Sequence, residues 1–316
     1  MERIPYDEFG FFAENAAEFG LPYDGPPVVR RESVEVRPGC RLSALVWGTE
    51  PPELVLLHGG AQNAHTWDTV ALALDRPLVA IDLPGHGHSD AGALTGDPPG
   101  HSDGGPATGG RLAIDALAAD VAVAVAALAP EAAGVVGMSL GGLTTLALST
   151  VAPTLVRRMV LVDVLPTLDP RGAAAISAFI HGPESFAGFE ELLARTMAHN
   201  PTRTESSLRR GILHNAVQRD DGTWVWRYAR HREGGLPAEQ GLDARIEPLW
   251  EAMSALAVPV MLVRGMAAGS VVSDDAEKEL LARQPAARVE HVAGAGHSVQ
   301  GDRPVELAKL IHSFIP

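Results

Sequence analysis

Gly137-Met138-Ser139-Leu140-Gly141, followed by Gly142, joins a Val-rich run to the helix-compatible stretch LGGLTTLALST. A serine on a sharp strand-to-helix turn presents its hydroxyl for attack, and glycines around it leave room for a strained backbone and a neighbouring chain. The hydroxyl still needs a base to take its proton. Of twelve histidines, His297 in HVAGAGHSVQGDRP is best placed, in a Gly-rich loop between the last expected strand and the last expected helix. His58-Gly59-Gly60-Ala61 follows the strand-like LVLL, so the N–H of Gly60, or failing that of Ala61, can join the N–H of Leu140 in holding a tetrahedral oxyanion. In that arrangement the His58 side chain is structural. Met138 and Ala61, beside these groups, are candidates to touch a substrate.

The remaining histidines read more plainly. His65, His181, His199, His214, His231 and His312 fall on helical or loop stretches where surface histidine is the ordinary expectation, and His291 falls within a strand, where it should pack. His86-Gly87-His88-Ser89-Asp90 imitates the opening of an HxHxDH zinc motif, which would make the chain a metallo-hydrolase. Ala91 stands where the last histidine should be, so no metal and no other cofactor is expected.

These residues must be held by a scaffold, and the chain alternates short β-rich runs with longer helix-compatible ones. SVEVRPGCRLSALVWG reads as a hairpin turning at ProGly, LVLLHGG, PLVAIDLPG and GVVGMS read as strands covered on both faces, and RRMVLVDV, VPVMLVRG and ARVEHVAG read as further strands. Helices are expected over RLAIDALAADVAVAVAALAP, LGGLTTLALSTVAP, DDAEKELLARQ and PVELAKLIHSF. This βαβα order predicts a mostly parallel sheet with helices on both sides. Two stretches break the rhythm: 91–110, rich in Gly, Pro and Asp, reads as a long surface loop, and 166–248 reads as an insertion over one end of the sheet. Residues 1–32 form a loose start, so the expected organisation is an N-terminal segment 1–32, a core 33–165, a cap insertion 166–248 and the rest of the core 249–316.

Composition limits the partners. The net charge of −14 is the wrong sign for nucleic acid or an anionic membrane surface, and the longest apolar run, VAVAVAALA, is far shorter than the ~20 residues a bilayer needs. A single cysteine, Cys40, cannot form an internal disulfide, and the acidic opening MERIPYDEFGFF does not read as a signal peptide, so a cytoplasmic location is expected.

HGG, the turn DLPGHGHSD, GMSLG and GAGH, in this order, make residues 33–316 resemble an α/β-hydrolase fold serine hydrolase. The resemblance implies an eight-stranded sheet, a cap inserted between strands six and eight, and a cleft between cap and sheet. It also implies a third catalytic group, an acid, and here the chain departs from the common family pattern. The acid usually follows strand seven, where this sequence reads RGMAAGSVVSDD with alanines at the expected place. Asp163, at the end of strand six in LVDVLP, occupies the family's alternative acid position, while Asp274 and Asp275 read as acids at a helix N-terminus.

The expected chemistry is hydrolysis of a carboxylic ester or lactone by Ser139, His297 and Asp163 through an acyl-enzyme, with Gly60 and Leu140 as the oxyanion donors. The insertion holds most of the scarce aromatics, Phe179, Phe186, Phe189, Trp224, Trp226, Tyr228 and Trp250. They either line an apolar cleft, with Trp224, Trp226 and Tyr228 against substrate, or pack the cap together. Arg195, Arg203, Arg209, Arg210, Arg227, Arg230 and Arg232 either meet a substrate carboxylate or are solvated helix faces. The alternatives are a carbon–carbon bond hydrolase with the same three groups, a zinc hydrolase, and a receptor-like binding protein without turnover. The oligomeric state is not legible.

Overall fold

The computed structural model describes residues 3–90, 111–228 and 248–316. The loop expected over 91–110, and His231, Arg230 and Arg232, lie outside them. The chain builds β1 (Val29–Arg37), β2 (Cys40–Trp47), β3 (Leu54–Leu57), β4 (Leu78–Ile81), β5 (Gly134–Met138) and β6 (Met159–Val162). An inserted segment then carries β7 (Ser185–Phe186), β8 (Ala216–Gln218) and β9 (Trp224–Trp226), and the main sheet resumes with β10 (Val260–Gly265) and β11 (Arg288–Val292). The main sheet has eight strands in the order β1-β2-β4-β3-β5-β6-β10-β11. Strand β2 runs antiparallel to β1 and β4, and the other neighbours are parallel.

The inner strands are parallel because they are short, wholly apolar and covered twice: every residue of LVLL, LVAI, GVVGM and MVLV is buried. On one face pack α1 (Phe12–Phe19), α2 (Asp68–Leu74) and α11 (Pro304–Phe314). On the other pack α3 (Arg111–Leu128), α4 (Leu140–Val151), α8 (Leu249–Ala255) and α9 (Asp274–Arg283). Among the described residues no helix is long and apolar enough to cross a membrane. Strand β3 pairs with β4 on one side and β5 on the other, so the chain changes direction of growth there, and the carboxyl ends of β3 and β5 border a crevice. HGG leaves β3 at that edge and Ser139 leaves β5.

Between β6 and β10 lie α5 (Pro170–Ile180), α6 (Phe189–His199) and α7 (Glu205–Asn215) with a second sheet, β7-β9-β8, antiparallel throughout. Strands of two and three residues leave no readable alternation, which is why this sheet was not foreseen. The loose start is also corrected. Residues 12–19 form α1, which ends on Gly20 in the left-handed conformation (φ 64°) and buries Phe12 and Ala16, and β1 begins at Val29.

Two glycines set how closely the layers meet. A Cβ on Gly141 would lie 2.2 Å from the Leu57 carbonyl oxygen, and one on Gly137 would lie 2.4 Å from that of Gly141. Both obstacles are backbone and cannot swing aside. Gly141→Ala should therefore lower the stability by about 1–3 kcal/mol or more, whereas Gly211→Ala, with open space around its site in α7, should raise it by about 0.5–1 kcal/mol. Urea denaturation of both variants checks the pair, and a neutral Gly141→Ala would contradict this account of the turn.

Candidate active site

Ser139 is a one-residue reversal between β5 and α4. Its φ of 51° and ψ of −120° lie where an L-residue is strained. The surroundings hold it there: its N–H reaches the Val162 carbonyl at 3.4 Å, and its own carbonyl accepts the N–H groups of Gly142 (2.9 Å) and Leu143 (3.0 Å). Met138 just before it is buried and packs beside Gly59, where a Cβ would come within 2.5 Å of its sulfur.

His297 lies in the turn between β11 and α10 (Val299–Asp302), and its Nδ1 hydrogen-bonds the Asp163 Oδ2 at 2.9 Å. Asp163 follows β6 with φ 46° and has no exposed surface. Its carboxylate accepts three further hydrogen bonds, from the Gly265 N–H (3.0 Å), the Ser270 hydroxyl (2.7 Å) and the Val271 N–H (3.0 Å). All three donors belong to the end of β10 or the loop after it. That loop carries no acid and instead wraps the acid presented by β6. Asp274 and Asp275 point elsewhere, the first bonded to Arg264 (2.7 Å) and the second to Lys278 (2.8 Å), both at the exposed start of α9.

Ser139 and His297 line the same cavity but are not joined by a hydrogen bond. Such contacts commonly tighten only when substrate is seated. Gly60 and Leu140 also line it, and among the described residues neither backbone N–H is engaged. Ala61 differs: its N–H donates to His86 Nε2 (3.0 Å) and its φ is 60°. The choice between Gly60 and Ala61, open in the sequence, therefore narrows to Gly60 as the available donor. His86 also bonds the Pro84 carbonyl through Nδ1 (3.0 Å), so both ring nitrogens are used. Asp90 meanwhile accepts the Arg41 N–H, and the zinc-like run does not converge on one point. His58 is fully buried, with Nδ1 on the Gly59 carbonyl (2.7 Å) and Nε2 accepting the Leu83 N–H (2.9 Å).

The cavity measures about 810 Å³ and lies between the sheet edge and the inserted segment. Leu143, Leu168, Ile176, Phe179, Ile180, Trp226 and Tyr228 give it an apolar wall, and Asn15, Arg203, Arg210 and His214 a polar end. Expectations for the aromatics divide. Trp226, Tyr228 and Phe179 reach the cavity, but Trp224 does not: it packs edge-on against Phe189 (5.1 Å between centroids) inside the insertion. Trp250 belongs to the main core, its indole N–H on Thr167. Arg210 is buried and paired with Glu14 and Glu18 of α1. The histidines need correction too. His65 and His214 are buried and line the cavity, not the surface, and His291 is exposed on β11, bonded to Glu277 (2.8 Å). Periodicity missed the first pair because their cover comes from Tyr6, Phe9 and Phe11, in the segment read as a loose start.

Residues 52–304 match the model of a family described as the alpha/beta hydrolase fold. The chain is 40% identical to Esterase Rv0045c of Mycobacterium tuberculosis, over 99% of this chain and 97% of that one. It is 28% identical to the sn-1-specific diacylglycerol lipase ABHD11 of Xenopus laevis over 84% of this chain and 80% of the relative. The crystal structure of Rv0045c superposes with a TM-score of 0.77 at 38% identity, covering 99% of each chain.

The surroundings of His58 have a consequence for stability. Burial, and secondarily the neighbouring His86, depress its pKa to about 3 from an ordinary 6.5. Between those values the unfolded chain binds a proton that the folded chain refuses, so stability falls as pH is lowered through this window, by up to about 1.4 kcal/mol per pH unit. His58→Asn should flatten the dependence of unfolding free energy on pH between 7 and 5, whatever it does to the absolute value. Parallel slopes for the two proteins in urea titrations would contradict the assignment.

Proposed function

The chain belongs to the alpha/beta hydrolase fold family, and from that premise we propose that it hydrolyses carboxylic esters, lactones included, through Ser139, His297 and Asp163. The observation that carries the reading is the 2.9 Å bond between His297 Nδ1 and a fully buried Asp163, on a histidine that lines the same cavity as Ser139. Asp163 accepts a hydrogen bond from the Nδ1–H, which keeps the proton on Nδ1 and leaves Nε2 as the basic nitrogen. Nε2 takes the Ser139 proton while Oγ attacks the ester carbonyl carbon, and the carbonyl electrons move onto oxygen, to which the Gly60 and Leu140 N–H groups donate hydrogen bonds. As the carbonyl re-forms, the carbon–oxygen bond to the leaving group breaks and the imidazolium gives its proton to the departing alcohol; water then repeats the sequence on the acyl-enzyme, displacing Ser139 and releasing the acid. The relative named an esterase, 40% identical along nearly the whole chain, supports an ester bond as the target. The wall of Phe179, Ile180, Leu143 and Trp226 supports a substrate with an apolar or aromatic part, and the inserted helices act as its cap.

Labelling by a fluorophosphonate probe, together with turnover of p-nitrophenyl esters, tests the proposal. Both should vanish in Ser139→Ala, with a loss of kcat on the order of 10⁶. Asp163→Asn should cost on the order of 10⁴ in kcat while the protein stays folded, and Asp274→Asn should be silent. Equal activity of Asp163→Asn and the parent would remove Asp163 from the mechanism.

The cap aromatics give a second test. Trp226→Ala should change KM or the ranking of aryl and alkyl esters, and Trp224→Ala should chiefly lower stability, because only Trp226 reaches the cavity. A reversed pattern would show that the specificity wall lies elsewhere.

A further inference from the structure

Three buried side chains meet where the inserted segment rests on the core. His65 lies in the 3₁₀ turn Ala64–Trp67, Asp68 opens α2, and His214 sits near the end of α7. A donor atom from each lies within 4.8 Å of the other two. The His65 Nδ1 is 2.9 Å from Asp68 Oδ2, the His214 Nε2 is 3.8 Å from that same oxygen, and the two imidazoles stack with centroids 3.8 Å apart. Tetrahedral zinc with bonds near 2.0–2.1 Å separates its ligand atoms by about 3.4 Å, so the spacings are close to those required, and the stacked rings must tilt out of parallel for both lone pairs to meet one ion.

Two of the atoms are left over by the protein's own hydrogen bonding. Asp68 Oδ1 and His214 Nε2 are buried and make no hydrogen bond, a cost that folded chains normally avoid. The outer ring nitrogens, in contrast, are tied to oxygen: His65 Nε2 lies 3.2 Å from Glu8 Oε1 and His214 Nδ1 lies 2.9 Å from the Tyr6 hydroxyl. Carboxylates and hydroxyls in those positions orient metal-binding imidazoles. We propose that His65, Asp68 and His214 bind one divalent transition cation of zinc's class, joining α7 to α2. Two imidazoles and a carboxylate suit that class, and three protein ligands leave a fourth position facing the cavity, which is also the route of entry.

Without an ion, His65 lies between Asp68 and Glu8 through hydrogen bonds of 2.9 and 3.2 Å. The ion would take the place of the His65–Asp68 contact and meet the unengaged His214 nitrogen as well. Arg31, 3.5 Å from His65, is already paired with Glu8 and Asp82. None of these groups is one to which ester hydrolysis is assigned, so the site stands or falls separately from the proposed reaction.

Calorimetric titration of the chelator-stripped full chain with Zn²⁺, alongside the visible spectrum of its Co²⁺ form, decides the matter. One ion per chain is expected, with tetrahedral d–d bands for cobalt. His214→Ala and Asp68→Asn, each shown to be folded by circular dichroism, should weaken binding by more than about 100-fold, and Tyr6→Phe by about 10–100-fold. If Asp68→Asn does not fold, His214→Gln takes its place. His297→Asn should bind as the parent does. Absence of saturable binding, unchanged affinity in the folded variants of His214 or Asp68, or loss of the site in His297→Asn would each overturn the proposal.

Discussion

A carboxylate with no exposed surface must collect donors or give up its charge, and the four hydrogen bonds around Asp163 fix more than one histidine. They bind the end of β6 to the end of β10 and to the loop after it. The same loop continues the chain of contacts, because the Val271 carbonyl accepts the N–H of Asp169 (2.8 Å), and the Asp169 side chain caps α5 through the N–H groups of Arg171 and Gly172. Phe179 and Ile180 at the far end of α5 then form part of the cavity wall. One buried charge thus positions the proposed base and anchors the first element of the insertion.

The serine side depends on close approach of backbone to backbone. Ser139 keeps its left-handed conformation because β5 ends against β6, α4 begins at once, and the glycines at 137 and 141 let that helix rest on the end of β3. Bringing β3 and α4 together in this way places the Gly60 and Leu140 N–H groups at the rim of one cavity. Ala61, one residue on, is held in a different role. Its N–H serves His86, and its carbonyl accepts the Asn215 side chain (2.6 Å) from the end of α7.

That last bond belongs to a polar seam between insertion and core. Asn63 donates to the His214 carbonyl (3.1 Å), and Arg210 reaches Asn15 (2.8 Å), Glu14 and Glu18 on α1. The insertion has its own apolar cluster, around Leu192, Leu208, Trp224 and Trp226, and these hydrogen bonds and ion pairs join it to the core beside that cluster. Polar seams of this kind suit the proposed cap, since their hydrogen bonds can exchange for water at modest net cost.

The sequence by itself determined the main sheet, because apolar runs bounded by Gly, Pro and Asp are local signals. LVLL, LVAI, GVVGM and MVLV need no distant residue to be read as strands. It also fixed which residues reach the sheet edge, since HGG, GMSLG and GAGH each follow such a run, and the resemblance they form named Asp163. Only the tertiary structure decided what depends on residues far apart in the chain. Asp163 and His297 meet across 134 positions, and the Gly60 amide stands out from that of Ala61 only because His86 is 25 positions away. The same reason hid the burial of His65 and His214 and the part the N-terminal segment plays in the cavity, whereas the sheet of the insertion stayed hidden because its strands are too short to show alternation. Solvent exposure of a polar side chain is set by what packs over it, and no periodicity in its own segment records that cover.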